Sequence, residues 1–394
     1  MIATRTVLAL GASQLVCWGI TYYLIGVLGP LIVADLRWPS AAVYGGFSVS
    51  LLVMAASSAV VGRWLDRQGG AWAMTSGSVI SAGGCLMLGL AHGPALYYAA
   101  WIVLGLAMRL TLYDAAFAAL ARIGGPLAKR PIAQITLLGG LASTVFWPIG
   151  GALAERLGWR GAVFAYGLIA LATIPLHATL PRGRYAGKSA AEGGTTRAPL
   201  PPRPPDRIQA WLYAVIVALV AFLNTAMSAH MIAILSALGL AASAAVWISA
   251  ARGIGQSASR LAEIMFGRTL DPLRLNLMAT GALPVAFMLG FAGGAVPAAA
   301  VAFSLLYGAG NGVATITRGT LPLVLFDHRV YGAVVGRLLM PSFLLSAAAP
   351  LAYAEVLERF GARGALALSV AFGAAALAAS IVLTLRTRRH DPGR

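Results

Sequence analysis

Long apolar stretches recur along this chain at a spacing that leaves little room for any other architecture. A helix needs about 20 mostly apolar residues to cross a bilayer. Twelve stretches qualify, at about 7–33, 41–63, 72–91, 96–120, 131–154, 160–181, 209–236, 241–266, 274–292, 296–319, 330–354 and 362–385. Only 10% of the 394 residues are charged and 59% are hydrophobic, whereas a soluble domain carries about a quarter charged residues. Too little polar surface remains to cover a water-facing globule of this size. The expected fold class is an all-α membrane protein with twelve transmembrane helices. Gly and Pro inside the stretches (Gly29-Pro30, Gly139-Gly140, Pro284, Pro341, Pro350) fit spans better than soluble helices.

The apolar pattern breaks once, near the middle. Arg182 to Arg207 holds six basic residues (Arg182, Arg184, Lys188, Arg197, Arg203, Arg207) and the Pro-rich run Pro199 to Pro205. Such a segment cannot bury enough apolar surface to offset the entropy of ordering it, so it reads as a flexible linker with a stiffer proline-rich end. The expected organisation is a six-helix bundle over 1–181, a linker over 182–208, and a second six-helix bundle with a short basic tail over 209–394.

The formal net charge of +17 raises the question of nucleic acid. The basic residues, however, sit in short clusters between apolar runs, the pattern of cytoplasmic membrane loops and not of a nucleic-acid surface. With the N-terminus inside, they crowd the inner segments and the linker. The outer segments hold only Arg37, Arg156, Arg160, Arg359 and Arg363. That bias places both termini and the linker in the cytoplasm, in a multi-pass protein of a bacterial inner membrane whose surroundings are lipid. Cys17 and Cys85 lie in apolar runs and read as small core residues. Met1 to Thr6 leads straight into the first apolar run without an Ala-x-Ala break, so no cleavable signal peptide is expected. There is no Walker loop and no Cys/His cluster with metal spacing, so neither ATP nor a metal or other cofactor is expected.

After the second stretch comes Gly62-Arg63-Trp64-Leu65-Asp66-Arg67-Gln68-Gly69-Gly70. It resembles the signature loop of the major facilitator superfamily, Gly-x-x-x-Asp-Arg-x-Gly and then a basic residue. Gly62, Asp66, Arg67 and Gly69 match, and Gly70 replaces the final basic residue. A degenerate copy follows the eighth stretch, where Gly267 and Asp271 match and Pro272 replaces the Arg. In the fifth, Gly139-Gly140 and Trp147-Pro148-Ile149-Gly150-Gly151 look like the Gly/Pro-rich motif of facilitator antiporters, with Trp147 in place of its Gly. The resemblance implies two bundles around a central cavity that rock to expose it to alternate sides. It also implies a gating latch made by Gly62, Asp66, Arg67 and Gly69, and a monomeric secondary transporter for a small molecule instead of an enzyme.

Charges inside spans indicate the cargo, because a charge at the bilayer centre costs about 2.5–3.5 kcal/mol on insertion scales. Arg109 and Arg252 fall near the middle of spans four and eight. Facing a cavity from opposite halves, they would bind an anion, since the planar guanidinium engages both oxygens of a carboxylate. A span-eight arginine also resembles the arrangement in the monocarboxylate and oxalate/formate branch; Arg252 fits that position by depth and Arg260 by spacing. Arg260 has a second reading, an ion pair with Glu263 at i,i+3. Asp114 is the candidate proton carrier, or else a structural partner of Arg109.

Gln14, Trp18 and Tyr22 are spaced by four, as are Tyr307 and Asn311; each stripe lines a cavity or joins helices. Asn224 and His230 in span seven are further candidate substrate contacts. Tyr97, Tyr98 and Trp101 read as membrane-interface anchors. The leading expectation is proton-coupled transport of a monocarboxylate-like organic anion. The rival is a drug or metabolite efflux antiporter, with Asp114 and Arg109 exchanging protons. A membrane sensor is a third class, but no soluble signalling domain is attached.

Overall fold

The computed structural model describes residues 2–124, 128–183, 206–266, 271–325, 338 and 340–390. The side chains of Asp66 and Arg67, within a helix, lie outside what is described, as do those of a few other helical residues. Every regular element among the described residues is helical. In chain order they are α1 (Thr4–Cys17), which runs through a π-helical turn (Trp18–Tyr22) into α2 (Leu24–Leu36), then α3 (Ser40–Gln68), α4 (Gly70–Gly89), α5 (Pro94–Thr111), α6 (Tyr113–Gly124), α7 (Lys129–Gly140) and α8 (Ala142–Ala172). After the short α9 (Ile174–Ala178) come α10 (Arg207–Ala237), α11 (Ala242–Phe266), α12 (Pro272–Phe291), α13 (Pro297–Leu325) and α14 (Met340–His390).

Nine helical stretches among the described residues are long and apolar enough to cross a membrane. Two of them, Arg130–Ala178 with 49 residues and Pro341–Arg388 with 48, are about twice a span's length. Each is broken near its middle by a glycine in the left-handed region, Gly158 at φ 69° and Gly361 at φ 65°. A side chain at either position would be strained, which is why the reversals fall there. Gly69, at φ 85°, makes the corresponding turn between α3 and α4.

The outer surface of the helices is apolar. Leu168 is 71% exposed and Trp247 65%; hydrocarbon, not water, suits such a face. Polar residues turn inward instead. Asp206 caps α10 by accepting from the Ile208 and Gln209 N–H groups, and it also takes the Arg386 guanidinium at 3.1 Å. Asp271 caps α12 in the same way, which gives the degenerate motif copy a structural role.

Among the described residues, helices from the two halves of the chain meet where α3 packs on α14, α7 and α8 on α11, and α2 on α10. Near the start of α3 and the Gly361 reversal of α14, the His230 ring lies 4.0 Å from the Tyr44 ring and 6.2 Å from the Tyr353 ring, closing that end. Tyr97 and Trp101, expected at the membrane interface, are instead fully buried. Tyr97 and Tyr98 donate to the Val43 and Ala42 carbonyls. Their polar tips are satisfied by the α3 backbone, so these residues fasten α5 to α3 and need no headgroup water.

Candidate functional site

A cavity of about 410 Å³ opens between the two halves. It runs from Tyr22 and Asn224 to Phe117, Ile216 and Leu321, toward the end of the molecule at which α10 leaves the linker. Its size suits a small molecule.

One wall is aromatic. The π-helical turn inserts one extra residue after Cys17, with the Tyr23 N–H donating to the Trp18 carbonyl five residues back. Trp18 then lies 4.8 Å from Tyr22 and 4.9 Å from Tyr113, and Tyr113 stacks on Phe117 at 5.3 Å. All four rings line the cavity. Tyr113 is brought in by a break between α5 and α6, where Leu112 is extended at ψ −173°. The break strands the last carbonyls of α5, and Gln14 Nε2 donates to one of them, that of Thr111, at 2.8 Å. Gln14 is fully buried and does not line the cavity. The stripe therefore divides: Trp18 and Tyr22 face the cavity, and Gln14 joins helices.

The same break sets the charged part of the wall. Arg109, in the last turn of α5, donates to Ser58 Oγ at 2.9 Å, and its Nη1 lies 3.8 Å from Asp114 Oδ2. The Arg109 side chain is 12% exposed and that of Asp114 57%, so the pair is loose and wetted on the acid side. Both line the cavity, as does Arg318 from α13. Among the described lining residues there are two guanidinium groups and one carboxylate. Arg318 was missed because it ends a span. It lies seven residues, two turns, beyond Asn311, and that spacing was the available signal.

The opposite wall is made of amides and hydroxyls. Asn224 and Thr225 of α10, Asn276 of α12 and Asn311 of α13 line it. Tyr22 and Thr225 share a hydrogen bond at 3.0 Å across the two halves.

Arg252 sits behind this wall. It is fully buried and is not among the lining residues. Its Nη2 donates to Asn224 Oδ1 at 2.7 Å and its Nη1 to Ser228 Oγ at 3.1 Å. The rings of Tyr307, Tyr23 and Trp147 stand 5.3, 5.5 and 6.0 Å from the guanidinium carbon. No described carboxylate forms an ion pair with it. A buried charge costs several kcal/mol; here two neutral acceptors and three π faces, about 0.5–2 kcal/mol each, offset that cost without neutralising the charge. Tyr307 is thus part of the Arg252 enclosure, its hydroxyl donating to the Leu223 carbonyl at 3.1 Å, and does not touch the cavity.

Arg260 and His230 also lie away from the cavity. Arg260 forms no ion pair with Glu263 among the described residues; it donates to the Thr136 carbonyl of α7. With Ser257 to the Leu137 carbonyl at 2.9 Å and Thr144 to the Ala250 carbonyl at 2.7 Å, it joins the halves along one seam. His230 Nε2 donates to the Pro350 carbonyl at 2.8 Å in the closed end. The Asp66 and Arg67 side chains of the expected latch lie outside the described residues.

The Gly308-Ala309-Gly310-Asn311-Gly312 run lets α13 approach α11 at backbone distance. A Cβ on Gly308 would strike the Arg252 carbonyl, and one on Gly312 the Gln256 backbone. Close approach of these helices is what holds Asn311 beside Asn224.

Helices that cross a membrane and enclose a polar cavity at the seam between two halves define a membrane transport protein. The sequence profile of the Major Facilitator Superfamily matches residues 10–350, and the chain belongs to that family. Among solved structures, that of a variant of the nucleoside transporter NupG superposes with a TM-score of 0.76 at 14% identity, covering 96% of this chain and 99% of that one. A bacterial homologue of the human lysosomal transporter Spinster, inward-facing and unoccupied, superposes with a TM-score of 0.70 at 16% identity, covering 98% of each chain. No curated protein sequence matches. The chain is a transporter and not an enzyme.

Proposed function

We propose that this transporter moves a small organic anion, of monocarboxylate type, by alternating access coupled to protons. The observation that carries the reading is the charge of the cavity: Arg109 and Arg318 line it, Arg252 stands behind Asn224 without an acid, and Asp114 is the one carboxylate among the described lining residues. An anion entering from water would meet a net positive field inside low-dielectric walls, which strengthens attraction. Arg109 is the direct ligand for the carboxylate and Asp114 carries the proton. The aromatic wall holds the apolar part of the substrate.

The same reading includes twelve spans. Splitting the two long stretches at Gly158 and Gly361 and adding α11, whose Arg252, Arg260 and Glu263 depress its hydropathy, brings the nine stretches to twelve. Two bundles of six, 1–181 and 209–394, would rock about the seams, joined by the cytoplasmic linker 182–208. Both termini would lie in the cytoplasm of a bacterium and the protein would act as a monomer in the inner membrane, with Gly62, Asp66, Arg67 and Gly69 as the latch. In this geometry the cavity faces the cytoplasm.

One observation favours a second reading. Asp114 is half-exposed in the cavity beside Arg109, which suits an efflux antiporter that exchanges protons against a drug or metabolite. Counterflow in proteoliposomes with labelled acetate, lactate, oxalate and benzoate separates the two. The anion reading expects counterflow of at least one acid, lost in Arg109→Gln. Counterflow unchanged in Arg109→Gln refutes the assigned ligand. Failure of all four acids beside transport of a cationic dye establishes the rival.

A further inference from the structure

The Arg252 guanidinium decides which way the Asn224 amide faces. A guanidinium can only donate, so the Asn224 atom 2.7 Å from Arg252 Nη2 is the oxygen. The same oxygen accepts from Asn311 Nδ2 at 2.8 Å. With both acceptor positions of Oδ1 taken, the Asn224 amide cannot rotate without leaving two donors unmatched, one of them charged and buried. Its Nδ2 donates to no described residue, and Asn224 lines the cavity. The orientation follows from hydrogen-bond chemistry alone.

We infer that Arg252 is a positioning residue, and that the Asn224 amide it holds presents its N–H to the cavity as the second-half donor for one oxygen of the transported anion. The inference rests on the anion reading above and changes the part played by Arg252 within it. The guanidinium is fully buried behind the amide and ringed by Tyr307, Tyr23 and Trp147, so a ligand reaches Asn224 and not Arg252. The positive charge still acts on the ligand, because a donor pulling on Oδ1 polarises the amide and strengthens its N–H toward an acceptor. Asn311 completes the chain by occupying the second position on the oxygen.

The test is a thermal-shift titration of the purified full chain with acetate, lactate, oxalate and benzoate. At least one acid is expected to raise the melting temperature of the parent, because it binds the native state. Asn224→Ala removes the donor and is expected to weaken that acid about tenfold to a hundredfold, the range for a lost hydrogen bond to a charged group. Asn224→Asp keeps an acceptor for Arg252 and Asn311 but carries no N–H. It is expected to melt at or above the parent without ligand, yet lose the acid response. Arg252→Gln frees the amide to turn and weakens binding, whereas Arg252→Lys, still donor-only, restores it.

If no acid shifts the parent, the anion reading itself fails. If the parent responds and Asn224→Ala responds equally, only the present inference fails, and the Asn224→Asp loss is then plain charge repulsion. If Arg252→Gln binds as the parent does, the amide needs no positioning. Asn224→Ala decides the matter should either Arg252 variant not fold.

Discussion

Replacing Asp114 by Asn distinguishes an anion carrier from a cation or drug carrier by the sign of its effect. The carboxylate lies 3.8 Å from Arg109, with side chains 57% and 12% exposed. A pair this loose contributes at most about 1 kcal/mol to folding, so the variant is expected to fold and melt close to the parent. An anion seated on Arg109 would have its charge roughly 5–6 Å from Asp114. Over that distance the repulsion is about 3 kcal/mol at an effective dielectric of ~20 and about 0.8 kcal/mol in water. More than half of the acid is wetted, so the lower end applies, and the variant is expected to bind the anion about fourfold more tightly. The proton-driven component of transport should disappear at the same time. Isothermal titration for affinity, and proteoliposome uptake with and without an imposed pH gradient, read the two effects. An Asp114→Asn variant that binds the acid more weakly than the parent would refute the reasoning, because removing a negative charge cannot weaken an anion by electrostatics. Loss of cation binding in the same variant would place Asp114 in the rival mechanism.

Three further outcomes follow from the scaffold. Gln14→Leu leaves the buried Thr111 carbonyl without its donor and is expected to destabilise by about 1–3 kcal/mol, seen as a lower melting temperature and weakened anion binding as the α5–α6 break moves Arg109. Gly308→Ala drives a methyl group against the Arg252 carbonyl and is expected to cost about 1–3 kcal/mol by overpacking, with transport falling further than stability because Arg252 shifts. Asp206→Ala removes the α10 cap and is expected to cost about 1 kcal/mol. Burial opposes ionisation of Asp206, but the Ile208 and Gln209 N–H groups and Arg386 outweigh it and hold the carboxyl below its ordinary value. Its contribution is therefore complete above the unfolded value of about 4 and is lost as pH falls through the lower folded value, so Asp206→Asn should flatten the acid limb of a melting-temperature profile.

The membrane class was legible because it depends on run length and composition, which are one-dimensional. The superfamily was legible from the loop at Gly62 to Gly69, and Gly69 occupies the positive-φ position that only glycine fills without strain. Within the site, spacing was only a partial guide, because Gln14 and Tyr307 share stripes with Trp18, Tyr22 and Asn311 yet do not line the cavity. Trp18 and Tyr22, Arg109 and Asp114, and Asn224 and Asn311 do line one cavity. Spacing could not give depth. Arg252 and Arg260 share a helix face two turns apart, yet one is enclosed by Asn224 and three rings and the other is drawn to a carbonyl on α7. Those partners lie 28 and 124 residues away in sequence, and no local pattern announces them. Tyr97 and Trp101 show the same limit, because an aromatic near a span end fits an interface belt as well as a helix contact.

The enclosure of Arg252 ties ligand to motion in a way that either half alone would not. Its hydrogen-bond partners, Asn224 and Ser228, and the Tyr307 ring belong to the second half of the chain. The Tyr23 and Trp147 rings belong to the first. In the proposed rocking motion the hydrogen bonds travel with Arg252, and the two first-half rings are left behind. The amide of Asn224 would stay oriented throughout, while the cation loses about 0.5–2 kcal/mol for each ring withdrawn. An anion bound at Asn224 supplies compensating negative charge at that stage. A ligand shifts a conformational equilibrium only by its differential affinity for the two states, and here the difference arises from the cation: the anion is needed more in the state in which the rings have gone. Replacing Trp147 by Leu should therefore ease the switch without ligand and weaken the dependence of exchange on the anion.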